Sequence, residues 1–310
     1  MANLTYTIKS NKKHRTAAEQ TAHSIFVICA FFAVFAVVSI TAYMIINGLP
    51  ALFTVGIREI LFTSVWEPSA ADPKYGILNV ILTSIIGTGL AVLIGVPVGV
   101  FTAIFLAEIA PKKVAAVIQA AVELLAGIPS VVYGLLGIYL LGPLMYKLEM
   151  AVFEGSKTHQ FTGGANLLAA VLVLAIMILP TVINISASAF RAVPGHIKSA
   201  SLALGASKIQ TIFKVMLPAA KSGVISAIIL GVGRAIGEAM AITLVSGGSV
   251  NLPLPFNSVR FLTTAIVAEM GYASGLHRKV LFTIGLVLFV FIMLINVAMT
   301  KLLKNKEVEA

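Results

Sequence analysis

Two charged residues stand alone in an apolar stretch. Residues 231–242 read GVGRAIGEAMAI, and from 222 to 248 Arg234 and Glu238 are the only charges. A guanidinium offers planar paired donors that match an oxyanion. A carboxylate four residues on would share its helix face and weaken its hold, and ion passage needs weak binding. A charge at the centre of a bilayer costs at least about 2.5–3.5 kcal/mol, so it is kept where it faces protein or water. Three readings stay open for the pair: contact with an anionic substrate, a structural or gating ion pair, or a tolerated lipid-facing charge. Gly233, Gly237 and Ala241 run beside it as a small-residue stripe that lets another helix approach closely.

A weaker candidate lies in LAGIPSVVYGLLG, residues 125–137. Pro129 can open a helix. Ser130 and the amides after Pro129 then read either as a second anion-friendly spot or as an ordinary helix cap.

Other chemistry is missing from the pattern. The five histidines have no ligand spacing, so no metal site is read. EGSKT at 154–158 lacks the glycine a phosphate-binding loop needs before its lysine. GVGRAIG at 231–237 has the wrong final spacing for a dinucleotide motif and no preceding strand. The single cysteine, Cys29, can form no internal disulfide. The chain reads as a transport protein without a catalytic residue or a cofactor of its own.

The elements that must hold Arg234 and Glu238 follow from composition. The chain has 310 residues, 59% hydrophobic and 11% charged, with a mean hydropathy of +1.01. Soluble domains carry about 25% charged residues, so an all-α, polytopic membrane protein is expected. A bilayer-crossing helix needs about 20 apolar residues. Six runs fit: 25–47, 77–106, 124–146, 167–190, 218–245 and 280–303. The first, behind a polar segment with Lys9, Lys12, Lys13 and Arg15, is too long for a signal-peptide core and reads as a retained anchor.

Basic residues orient the spans. Fourteen fall on one side: the four just named, Lys112, Lys113, Arg191, Lys198, Lys208, Lys214, Lys221, Lys301, Lys304 and Lys306. Seven fall on the other: Arg58, Lys74, Lys147, Lys157, Arg260, Arg278 and Lys279. The richer side is expected to be cytoplasmic, with both termini. The expected divisions are a cytoplasmic tail 1–24, a first span 25–47, an outer loop 48–76, a transmembrane domain 77–303, and a cytoplasmic tail 304–310. Segment 114–127, with Gln119 and Glu123, is too short to span. It reads as an interfacial helix leading to the third span, or as part of one long helix kinked at Pro129. Glu123 is read as interfacial, and Glu108 as marking the cytoplasmic end of the second span. The loops around Trp66 and Tyr75 and around Pro253 and Pro255 could fold over the outer mouth. Trp66 and Tyr75 equally suit interfacial anchors.

Residues 193–223, VPGHIKSASLALGASKIQTIFKVMLPAAKSG, carry the sharpest pattern. Gly205 separates two short helical stretches and permits a sharp turn. Leu202, Leu204, Ile209 and Ile212 would then offer an apolar knob to a partner's groove. The segment resembles the coupling loop of bacterial ABC importer permeases. Gly205, Leu217 and Pro218 sit at the matching offsets, Ala200 matches the first alanine, and Val215 stands for an isoleucine. Ser199 and Ser201 depart from the pattern, replacing its glutamate and second alanine.

WEP (66–68), YGILNVILTSIIGT (75–88), LAGIPSVVYGLLG, LAIMILP (174–180), ALGASKIQTI (203–212) and GRAIGEAMAI (233–242) extend the likeness over residues 60–300. Together they resemble the PstC-type permease subunits of phosphate ABC importers. The sister PstA type continues Gly-Glu-Thr-Ala-Pro after the arginine. The resemblance implies a six-helix permease fold with a cytoplasmic coupling helix-turn-helix in 191–217. Ser199, Ala200, Leu204, Gly205 and Ala206 would there meet an ATPase. It implies phosphate import across the inner membrane, a PstA-like second permease, two cytoplasmic ATPase subunits that hold the ATP, and an extracytoplasmic phosphate-binding protein. A permease of the same fold for molybdate or sulfate is the alternative, and a stand-alone secondary transporter a more distant one.

Overall fold

A computed structural model describes residues 17–307. The first sixteen residues of the expected tail 1–24 and the last three of 304–310 lie outside the described residues. Helix α1 covers Ala17–Val55, longer than the apolar run at its centre, and leaves Phe26, Phe31 and Phe35 exposed. Exposed phenylalanines on such a helix suit lipid. The chain turns at Gly56 (φ 102°) into α2 (Ile57–Phe62). Strands β1 (Trp66–Glu67) and β2 (Lys74–Tyr75) follow as an antiparallel hairpin with Trp66 opposite Tyr75.

Helix α3 (Leu78–Ile104) runs into a wide π turn at Phe105–Ile109. Helix α4 (Lys112–Gly127) is the separate amphipathic helix expected over 114–127. The third span therefore starts at Ser130, not at 124. Pro129 has no N–H to donate and pushes Ile128 to an extended conformation. That span comprises α5 (Ser130–Leu136), a π turn at Gly137–Leu141, and α6 (Gly142–Val152).

Helix α7 (Leu167–Arg191) is capped by the Asn166 side chain, which accepts the Ala169 N–H at 3.0 Å. It is the central post of the bundle, with most of its length buried. Helix α3 packs along it through Gly87, Ala91, Gly95, Gly99 and Ala103, a buried row at four-residue spacing. A Cβ added at Gly95 or Gly99 would come within 2.7 Å of Ile178 or Val182. Close approach through small residues is how membrane helices gain packing energy, since lipid leaves no hydrophobic drive between them.

Helices α8 (Gly195–Ala203), α9 (Lys208–Thr211) and α10 (Leu217–Ala219) form a bent segment at one end of the bundle. Helix α11 (Lys221–Gly237) re-enters it at 71° to the preceding helix. The fifth span is not the continuous helix 218–245 that hydropathy suggests. It stops at Gly237 and resumes as α12 (Met240–Val245). Helix α13 (Leu262–Glu269) lies buried at the hairpin end, and α14 (Gly275–Glu307) packs against α1. The Thr283 hydroxyl donates to the Gly48 carbonyl at 2.7 Å to join those two.

Candidate functional site

The site forms around the interruption at residues 238–239. Glu238 has left the helix (φ −73°, ψ 127°). Its carboxylate turns forward and accepts the Ala241 N–H at 3.0 Å, capping α12. Its carbonyl, released from the helical ladder, accepts the Thr263 hydroxyl of α13 at 2.7 Å.

Arg234 occupies the last turn of α11 and is half-buried. A cation there suits the negative end of the helix dipole. The expected one-turn proximity to Glu238 fails. An (i, i+4) pair needs continuous helix between its members, and the break removes it. Among the described residues the ion pairs are His159–Glu149, Lys198–Glu108, Arg260–Glu269 and His277–Glu269, so Arg234 joins none of them.

Tyr133 belongs to α5, the first turn of which contains Ser130. The Tyr133 hydroxyl donates to the Leu125 carbonyl at 2.7 Å, bridging the Ile128–Pro129 gap. Helices α5 and α12 are packed together, with room at Gly134 for only the Ala241 backbone and Leu244. Two interrupted helices thus face each other, one carrying Ser130 and Tyr133, the other bounded by Arg234 and Glu238. Non-helical backbone at membrane depth occurs where it is buried in protein or lines a water-filled path. No side-chain cap involves Ser130.

The small-residue stripe also divides. Gly233 and Gly237 face open space, where an added Cβ would meet nothing within 4 Å. Ala241 is fully buried against α5. The three do not form one face, because the break at 238–239 turns α12 away from α11.

At the opposite end, Gly205 (φ 85°) ends α8 in a Schellman turn. Its N–H donates to the Leu202 carbonyl at 3.0 Å, and the Ala206 N–H reaches the Ser201 carbonyl at 3.2 Å. Ser207 and Gln210 then form a reciprocal capping box at the start of α9. The tip holds Leu204 at 89% exposed and Ile209 at 68%, with Leu202 also exposed. Ile212, expected in the same apolar knob, is buried among Ile104, Phe190 and Met216. It opens the π turn Ile212–Met216, whose buried residues Ile212 and Met216 pack inward. Ser199 and Ala200 are exposed on α8, and the Ser199 hydroxyl bonds back to the Gly195 carbonyl. Lys198 Nζ, 2.5 Å from Glu108 Oε2, ties α8 to the end of α3.

Trp66 and Tyr75 are not lipid anchors. Tyr75 is 5% exposed. Trp66 meets it edge-on at 6.0 Å and donates Nε1–H to Glu269 at 3.1 Å. Thr263, Tyr133, Glu149 and Glu269 escaped the sequence reading, because each acts through partners distant in the chain or across a helix break. Glu269, at the end of the apolar run 261–270, was the one with a visible signal.

A family model described as "Binding-protein-dependent transport system inner membrane component" matches residues 95–306. A probable ABC transporter permease protein, YqgH of Bacillus subtilis, is 41% identical over 296 residues, 93% of each chain. The phosphate transport system permease protein PstC of Pasteurella multocida is 35% identical over 272 residues, 84% of each chain. A similarly named protein of Methanocaldococcus jannaschii is 31% identical over 280 residues, covering 86% of this chain and 88% of its own length. A solved bacterial alginate ABC transporter superposes with a TM-score of 0.62 at 15% identity, covering 91% of this chain and 94% of that one. An inward-facing methionine ABC transporter gives 0.51 at 22% identity, covering 74% and 94%. Both structures share the fold.

Proposed function

The chain belongs to the family of binding-protein-dependent transport system inner membrane components, and from that premise we propose that it is the PstC-type permease subunit of an ATP-driven phosphate importer. It is a transport subunit of the membrane, not an enzyme. The ATP is hydrolysed by separate subunits. Its partners are a PstA-like permease, two cytoplasmic ATPase subunits and an extracytoplasmic phosphate-binding protein. Both termini face the cytoplasm, as the distribution of lysine and arginine favours.

One observation carries the reading. In a chain whose relatives are named phosphate permeases, a guanidinium without an ion-pair partner among the described residues stands beside a helix break. Arg234 would hold two phosphate oxygens at once. Glu238 and Ser130 belong to the same wall of the pathway. Glu238, held on the α12 amide, lowers the local potential without occupying the guanidinium, which keeps the site weak enough to release the ion. Gly233 and Gly237, open in this chain, give the PstA-like permease a smooth surface for close packing. The exposed Leu204 and Ile209 at the α8–α9 tip, with Ser199, Ala200, Gly205 and Ala206 around them, dock into the ATPase. The coupling loop covers 191–217 within a transmembrane domain 77–303.

The test is uptake of radiolabelled phosphate by cells whose sole high-affinity route is this complex. Arg234→Gln should abolish most uptake while the subunit still reaches the membrane. Excess unlabelled phosphate should compete, and sulfate or molybdate should not. Normal uptake by Arg234→Gln would exclude the guanidinium from the pathway. Competition by sulfate or molybdate alone would move the substrate to another oxyanion.

A further inference from the structure

The fifth span breaks just after Gly237, a poor helix former, although the residues that follow favour helix. The residues after Gly237 are Glu-Ala-Met-Ala-Ile, and Glu, Ala and Met are good helix formers. A continuous helix here would place the Glu238 carboxylate one turn from Arg234. The guanidinium would then be neutralised before any anion arrived. Gly237 permits the break, and a contact from outside the span can hold it in the broken geometry.

Among the described residues, the freed Glu238 carbonyl accepts a hydrogen bond from the Thr263 hydroxyl, at 2.7 Å. Thr263 is 9% exposed and sits in the first turn of α13. That turn is anchored independently of the fifth span. The Leu262 N–H donates to Ser84 Oγ of α3 at 2.8 Å. The Phe261 ring fills the space beside Gly87, where an added Cβ would come within 2.6 Å of it. The far end of α13 is fastened through Glu269 to Trp66, Arg260 and His277. The hydroxyl is therefore held at a fixed place. A buried carbonyl without a partner is costly, and more so away from water. Thr263 removes that cost for the broken chain, where the helical ladder no longer serves the carbonyl.

We propose that Thr263 is a positioning residue for translocation, its hydroxyl holding the fifth span open at Glu238 so that the carboxylate stays on α12 and Arg234 stays free for phosphate. The proposal rests on the reading that Arg234 lines the pathway.

Uptake of radiolabelled inorganic phosphate by the complete complex in cells tests it, with subunit levels read from membranes by immunoblot. Thr263→Val keeps the shape and removes the hydroxyl. Uptake should fall roughly tenfold at unchanged membrane level, the scale of one lost hydrogen bond to a buried acceptor. Thr263→Ser should restore most of that loss. Adding Glu238→Gln to Thr263→Val should also recover uptake in part, since a neutral amide binds the guanidinium more weakly than a carboxylate and leaves its charge unneutralised. A purely structural defect at Thr263 would not respond to that second change. Wild-type uptake in Thr263→Val, a Thr263→Ser variant as poor as Thr263→Val, or no recovery in the double variant would each overturn the proposal. If Thr263→Val does not reach the membrane, Thr263→Ala against Thr263→Ser makes the same comparison. Arg234→Gln in parallel separates the two claims. Normal uptake there removes the pathway reading itself. Loss there with normal uptake in Thr263→Val removes only the role of Thr263.

Discussion

Glu269 shows how much a single buried carboxylate can organise. It is 4% exposed and accepts hydrogen bonds from Trp66 Nε1 at 3.1 Å and from the Arg260 guanidinium, with His277 Nε2 2.7 Å from its other oxygen. A cavity of about 490 Å³ opens beside it, lined by Trp66, Arg260 and Tyr272 among others. Glu149 plays a matching part elsewhere in the fold. It is fully buried and receives His159, the Thr162 N–H and the Thr162 hydroxyl, at 2.8 to 2.9 Å. Buried charges persist only when paired and fully hydrogen-bonded. Glu269→Ala removes the acceptor shared by Trp66, Arg260 and His277, leaving part-buried Arg260, among the described residues, only its bond to the Gly248 carbonyl, and should lower stability by about 1–3 kcal/mol. Thermal unfolding of the purified complex in detergent should show a clear drop in midpoint, whereas Glu67→Gln on the exposed hairpin should leave it unchanged. A sequence reader could suspect Glu269 from its place at the end of an apolar run. Its partner Trp66 is 203 residues away, beyond any local pattern.

At the scale of elements, the α8–α9 turn was legible and the break in the fifth span was not. Gly205 between two short helices announces a turn because a left-handed φ favours glycine. Its φ of 85° agrees. Ser207 three residues before Gln210 is a capping signal of the same local kind. Gly205→Val places a β-branched residue in left-handed backbone, which is strained whatever space surrounds it. The variant should assemble but lose ATP hydrolysis stimulated by the loaded binding protein. Gly205→Asn, which tolerates that conformation, should keep a substantial part. Equal stimulated hydrolysis in both variants and wild type would mean the turn does not govern coupling. The burial of Ile212 was hidden because its neighbours Ile104 and Phe190 come from distant helices, which hydropathy does not register.

At the scale of the molecule, orientation rests on charge and can be measured directly. Ser69 and Ser156 lie at the hairpin end, and exposed Lys208 lies at the α8–α9 end. In a Cys29→Ala background, needed because Cys29 is exposed, Ser69→Cys and Ser156→Cys should react with an impermeant thiol reagent from outside intact cells. Lys208→Cys should react only after the membrane is opened. The reverse pattern would invert the topology.

The sequence by itself determined the membrane class and the shape of the α8–α9 turn. Each follows from properties a short window contains: transfer of apolar side chains into lipid, or the φ preference of one residue. Only the tertiary structure decided that Arg234 and Glu238 part company. Gly237 lets the span break between them, while the Glu, Ala and Met that follow would equally continue it. A hydroxyl 25 residues away, mounted on a separately anchored helix, meets the freed carbonyl of the broken span, a partner no local window contains.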